Sequence, residues 1–176
     1  LLQVDDLQVH FPRAKTGWLR PPEVVKAVDG VSFNVRRGTT LAVVGESGSG
    51  KTTTALAVMR LSPVTGGSIR LGDTDLGALQ GEELRLARRR LQIIFQDPYS
   101  SLNPRERAGA AVRAPLDLMQ VGTPAEREAR VAELFTQVGL RPEQQHLFPH
   151  QFSGGQRQRI NIARALATQP ELVVCD

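Results

Sequence analysis

The 176-residue sequence predicts an α/β fold from three observations. Apolar and polar residues alternate in Val4–Phe11 and Val28–Val35, the period of two expected of half-buried antiparallel strands. A continuous apolar run, Leu41–Val44, leads through a glycine-rich stretch into a helical pattern over Thr52–Leu61. Helical signals then dominate from Thr123 to Ala167, before a last apolar run at Leu172–Cys175.

Each element has a local justification. Between the first two strands, residues 12–22 are rich in proline and basic side chains and read as a loop insertion carrying Trp18. Leu41–Val44 has the composition of a buried strand, and Leu91–Phe95 (LQIIF) that of a short one ending at Gln96. The following QDPYSSLNPR, Gln96–Arg105, is turn-rich because of its two prolines and Asn103. Thr123-Pro124-Ala125-Glu126 supplies an N-cap, a proline at the first helical position and an early acid. Val131, Leu134, Phe135 and Val138 then recur until Gly139 ends the helix. In a second helix, Ile160, Ile162, Ala163, Leu166 and Ala167 fall on roughly one face, with Ser153 as N-cap. Leu172–Cys175 completes a strand that closes on Asp176, with Cys175 expected to be buried.

Two of these junctions carry chemistry. Gly45, Glu46, Ser47, Gly48, Ser49, Gly50, Lys51 and Thr52 spell G-x-x-x-x-G-K-[ST], with a strand expected before and a helix after. In that pattern glycines let backbone N–H groups approach phosphates, the lysine reaches the β- and γ-phosphate oxygens, and the Thr52 hydroxyl ligates Mg²⁺. The helix start, with Thr53, points its partial positive charge at the same anion. The chain is therefore expected to bind a nucleoside triphosphate. Far downstream, Phe152–Gln156 (FSGGQ) opens the second helix, where Gly154 and Gly155 expose N–H groups and make a second anion site. One bound triphosphate does not need both.

This pair of motifs resembles the ATP-binding cassette (ABC) family, whose signature LSGGQ contacts the γ-phosphate held by the partner subunit. Phe152 departs from the family's leucine and leaves Ser153, Gly154, Gly155 and Gln156 intact as nucleotide-contacting residues. The resemblance makes Gln96, 45 positions after Lys51, the Q-loop glutamine that contacts Mg²⁺ and the attacking water. Lys51 and Gln96 are then the catalytic residues present. Thr52, Gln96 and the Walker B residue Asp176 are the Mg²⁺ ligands. Phe11 matches the aromatic that stacks on adenine, although it also reads as a core aromatic, and Trp18 is the other candidate.

The implied fold is a P-loop NTPase (RecA-like) core with an antiparallel β-subdomain and an α-helical subdomain, C-terminally incomplete. Residues 1–40 would form the β-subdomain, 41–98 the core through the Q-loop, 99–152 the helical subdomain, and 153–176 the signature helix and Walker B strand. The general-base glutamate, the D-loop and the switch histidine are expected beyond Asp176. In the family the strand after Walker B lies between the Walker A and Walker B strands, so Leu41–Val44 and Leu172–Cys175 are expected to lack a shared neighbour. The 176-residue chain alone is thus expected to be inactive and poorly folded.

QDPYSSLNP and FPHQFSGGQRQR are similar to the corresponding stretches of oligopeptide, dipeptide and nickel importers. The implied function is ATP hydrolysis coupled to head-to-tail dimerisation and uptake of peptides or similar small solutes. The implied partners are a second ABC ATPase subunit, transmembrane permease subunits and, indirectly, a solute-binding protein, at the cytoplasmic face of the cell membrane. Tyr99, Leu102 and Asn103 are expected to face the permease. The alternatives are a soluble cassette ATPase of DNA repair or chromosome maintenance, or a nucleotide-binding fragment without activity. The repair type typically separates its motifs by zinc modules or long coiled coils, and here 102 positions separate Lys51 from Ser153.

Composition adds bounds. Arg85, Arg88, Arg89 and Arg90, and later Arg157, Arg159 and Arg164, form basic clusters, but interspersed acids hold the formal net charge to +4 and no aromatic platform accompanies them. No nucleic-acid partner is expected. No run approaches the roughly 18–20 apolar residues of a membrane helix, and no signal peptide is seen. The single cysteine excludes an internal disulfide and fits a reducing compartment. His10, His146 and His150 are expected in structural or solvent-exposed positions, so Mg²⁺ would arrive with ATP.

Overall fold

The computed structural model describes residues 1–12 and 24–176; Trp18, with the 12–22 insertion beyond Pro12, lies outside the described residues. Two units divide the chain, Leu1–Arg85 and Leu86–Asp176. In the first, β1 (Leu2–Pro12), β2 (Val24–Val35), β3 (Gly66–Leu71) and β4 (Thr74–Asp75) form one antiparallel sheet in the order β2-β1-β3-β4. In β1 the alternation seen in the sequence holds with one break, Leu2 and Val4 buried and then Leu7 and Val9, whereas in β2 Val28 and Val35 are buried but Val31 is exposed. A bulge at Asp5–Asp6 shifts the register, with Asp6 at φ +47° and its N–H bonded to Ser32 Oγ at 2.8 Å. Opposite, Gly67 at φ +79° approaches the Asp6 carbonyl so closely that no side chain fits. Helix α1 (Lys51–Val58) packs on β1 and β2 through its buried Thr54, Ala57 and Val58 side.

Leu41–Val44, read as a buried strand, joins neither sheet of the described residues and is exposed throughout, Val44 to 88%. An apolar run becomes a strand only where a neighbour pairs its N–H and C=O groups, and none does so among the described residues. That expectation is corrected here.

The division between units falls within helix α2 (Gly81–Arg90). In the second unit β5 (Leu91–Ile94) pairs in parallel with β6 (Leu172–Cys175), Leu91 opposite Leu172 and Ile94 opposite Cys175. Glu171 N–H donates to Arg90 O and Asp176 N–H to Ile94 O, both at 2.9 Å, extending the ladder at each end. Helices α3 (Ala108–Leu118), α4 (Pro124–Gln137) and α5 (Gly154–Leu166) share one core in which Val112, Leu134, Phe135, Ile160 and Ala163 are fully buried. Burying each of the larger side chains contributes roughly 1.5–3 kcal/mol.

The predicted helix start at Thr123 is a capping box: Thr123 Oγ1 accepts from Glu126 N–H at 3.3 Å while Glu126 Oε2 accepts from Thr123 N–H at 2.7 Å. Gly139, at φ +73°, follows the C-cap Val138 as anticipated. Two expectations fail in this unit. Cys175 is exposed, at the last position of β6 opposite Ile94. Leu102, expected at a partner surface, is 3% exposed and belongs to the helical core. It cannot face a permease without leaving that core.

Candidate nucleotide-binding site

In the first unit the glycine-rich loop is shaped by backbone geometry. Gly48 and Gly50 stand at φ +82° and +91°, a region favourable only to glycine. A side chain at Gly50 would collide with the Ala27 carbonyl oxygen of β2, so this glycine also allows the loop to close on the sheet. Ser49 N–H turns back to Glu46 O at 3.2 Å, and Lys51 Nζ folds across the loop to Gly45 O at 2.9 Å and Glu46 O at 2.7 Å. Gly50 is the N-cap of α1, and neither a capping side chain nor an acidic residue occupies its first turn. Thr54, the buried residue behind, anchors the turn through Oγ1 to Gly50 O at 2.9 Å. Left-handed glycines, a helix start with no capping side chain and a lysine within reach fit a phosphate anion. The exposed Ser47 and Thr52 and the half-buried Thr53 lie on this same stretch.

In the second unit, α5 begins as the sequence anticipated, with Ser153 as N-cap. Ser153 Oγ accepts from Gln156 N–H at 3.3 Å, and Gln156 Oε1 accepts from Ser153 N–H at 2.9 Å. The exposed Ser153 hydroxyl keeps its own O–H available to donate, and Gly155 is exposed with open space where a side chain would be. At Gly154 the space is occupied: a Cβ there would lie 3.2 Å from the Tyr99 hydroxyl.

Gln96 and Asp176 leave the same ends of the adjacent parallel strands β5 and β6, the edge at which α/β sheets bind ligands. Both line a cavity of 520 Å³ together with Phe95, Asp97, Ser100, Ser101 and Arg164. The loop after Gln96 is held by Asp97, whose carboxylate accepts from Tyr99 N–H at 2.8 Å and Ser100 N–H at 3.3 Å. Those bonds, the Tyr99 N–H foremost, keep the Asp97 carboxyl below the usual carboxylate range. Ser101 Oγ closes the turn on Asp97 O at 2.6 Å. Arg164 reaches the loop from α5, donating to Ser101 O at 2.6 Å, and burial pushes its guanidinium below its usual pKa. Asp97 and Arg164 went unread as site residues; the Asx turn after Gln96 was the signal for the first, and no local pattern marks the second.

Phe11 lies near the end of β1, opposite Val25, and is 38% exposed. His10 Nε2 pairs with Asp29 Oδ1 at 2.9 Å, and the exposed His150 stacks on Phe148. The arginines near the signature bond backbone carbonyls: Arg157 Nε donates to Pro149 O and Phe152 O, Arg159 to Val138 O at 2.8 Å. Across α3 and α4, Arg127 donates to Val121 O and Gly122 O and pairs with Asp117.

Comparison with known proteins agrees with this geometry. The "ABC transporter" family model matches residues 28–176. Among similar proteins, "Probable peptide ABC transporter ATP-binding protein y4tS" of Sinorhizobium fredii is 46% identical over all of this chain and 50% of its own length. "Dipeptide transport ATP-binding protein DppF" of Escherichia coli is 44% identical over all of this chain and 52% of its own. The chain thus spans about half the length of the curated relatives it matches. The dimeric post-hydrolysis structure of the ATP-binding cassette MJ0796, bound to ADP and Pi, superimposes with a TM-score of 0.85 at 29% identity, covering all of this chain and 73% of that one. From its phosphate loop to Asp176, in sequence and in fold, the chain belongs to the ABC transporter family.

Proposed function

We propose that the whole protein is the ATP-binding and ATP-hydrolysing subunit of an ABC importer that takes up peptides or similar small solutes. The observation that carries this reading is the start of α1, where Gly48 and Gly50 adopt left-handed backbone and Lys51 lies across the loop. Gly45–Thr53 would cradle the ATP phosphates, Phe11 would stack on adenine, and Gln96 would orient the attacking water. Mg²⁺, held by Thr52, Gln96 and Asp176, would supply charge neutralisation at the β- and γ-phosphates. Ser153, Gly154, Gly155 and Gln156 would serve the γ-phosphate held by a second cassette, so that ATP binding closes a head-to-tail dimer. Permease subunits and a solute-binding protein complete the proposed complex, with the cassette at the cytoplasmic membrane face. No helix of the described residues is long and apolar enough to cross a membrane. The peptide-type cargo is supported by the names of the relatives.

The test is reconstitution of the full-length protein with its permease in vesicles. Peptide uptake should require ATP hydrolysis, and Lys51→Ala should remove both by weakening ATP binding about tenfold or more, as loss of a charge-assisted hydrogen bond implies. Unchanged ATP affinity in Lys51→Ala would overturn the phosphate-loop assignment, and ATPase activity without uptake would overturn the importer reading.

A further inference from the structure

Tyr99 sits three residues beyond Gln96, and its ring is covered by the Arg157 guanidinium at 4.3 Å from the ring centroid. Arg157 is in the first turn of α5, and its Nε is committed to Pro149 O at 2.8 Å and Phe152 O at 3.1 Å, the carbonyls of the turn leading into Ser153. One side chain therefore grips both the entrance to the signature and the loop after Gln96. The Tyr99 hydroxyl occupies the space beside Gly154 that a Cβ would need. Seven positions further along α5, about two helical turns on the same face, Arg164 donates to Ser101 O at 2.6 Å. Asp97 ties Tyr99 and Ser100 to the residue after Gln96. The loop is thus stiff between Gln96 and its two contacts with the helix. Tyr99 is 59% exposed, so this contact is not a requirement of the core, whereas Leu102 nearby is.

We propose that Tyr99 and Arg157 form a latch, backed by Arg164, that makes the Gln96 loop and the Ser153–Gly154 helix start move as one piece. They are positioning residues: a shift of Gln96 is passed to the donors offered to the second cassette. This rests on the ATPase reading above.

The test uses the full-length protein and a double-mutant cycle of Tyr99→Ala and Arg157→Gln. Each single change should lower kcat about fivefold, the weight of a half-exposed cation–π contact, with the KM for ATP unchanged because the phosphate loop is untouched. The double variant should be no slower than the slower single one. Tyr99→Phe, which keeps the ring, should restore the rate. Multiplying losses of about 25-fold in the double variant, as expected of independent sites, or a Tyr99→Phe enzyme as slow as Tyr99→Ala, would overturn the latch. A second readout does not depend on turnover: amide exchange at Ser153–Gln156 should accelerate about fivefold in Tyr99→Ala by the same contact energy. Unchanged exchange there overturns the latch even in a protein without ATPase activity. Absence of activity in the unaltered protein would overturn the proposed function instead.

Discussion

Replacing Gln156 by glutamate separates what the signature does for the fold from what it offers a nucleotide. The substitution preserves the cap, because the chain already contains the acidic version: Glu126 caps Thr123 in α4 just as Gln156 caps Ser153 in α5. Glu126 is held ionised by the Thr123 backbone N–H, which keeps its carboxyl below the usual range. A carboxylate in the first turn favours the helix dipole by about 0.3–1 kcal/mol, so the melting temperature of Gln156→Glu should rise by about 1–4 °C for a domain of this size. Toward a γ-phosphate the sign reverses. At roughly 5 Å and an effective dielectric of about 20, two unit negative charges repel by about 3 kcal/mol, or about a hundredfold in affinity. Calorimetry should find ATP binding to the monomer unaltered, while light scattering with a non-hydrolysable ATP analogue should find dimerisation with the partner cassette weakened by that factor. Dimerisation at wild-type affinity, with the melting temperature raised, would refute placing the start of α5 against phosphate.

Three further outcomes follow from the structure. Leu102→Ala should destabilise by about 2–5 kcal/mol in chemical denaturation, as a core truncation does, whereas Tyr99→Ala should leave the midpoint within about 1 kcal/mol. Asn161 is 1% exposed and neither side-chain amide atom has a hydrogen-bond partner among the described residues; Asn161→Ala should therefore stabilise by about 1–3 kcal/mol, the desolvation cost of unsatisfied groups, and a lower melting temperature would contradict this. The amides of Leu41–Val44, in no sheet of the described residues, should exchange far faster than those of β1 in hydrogen-exchange mass spectrometry of this 176-residue chain.

What the sequence made legible was mostly local. Thr123–Glu126 and Ser153–Gln156 announce their helix starts because a cap is satisfied within four residues. The two N-terminal strands were readable from alternation, and the bulge at Asp6 moved the pattern without destroying it. Failures came where partners are distant in the chain. Leu41–Val44 has strand composition, but pairing is supplied by other segments, and composition cannot name them. Leu102 sits in a polar, proline-rich loop and yet fills the helical core, because the loop folds back over α3 and α5. Cys175 shares an apolar run with Leu172–Val174, but the exposure of a strand depends on what covers its sheet. At the site, the glycine motifs were evident, whereas Arg157 and Arg164 read only as part of a basic cluster until Tyr99 and Ser101 were placed beside them.

Five arginines, Arg127, Arg130, Arg157, Arg159 and Arg164, donate to backbone carbonyls within the second unit. Exchanging all five for lysine would leave the formal net charge at +4, because both side chains are cations. The folded chain would nevertheless lose the rigid planar fork whose separate N–H groups meet two carbonyls at fixed geometry, as Arg127 does through Nε to Val121 O and a terminal nitrogen to Gly122 O. Two chains that an ion-exchange column could not tell apart would thus differ in whether α5 stays attached to its surroundings. Within this unit these arginines serve as multivalent fasteners, a use that net charge alone does not report.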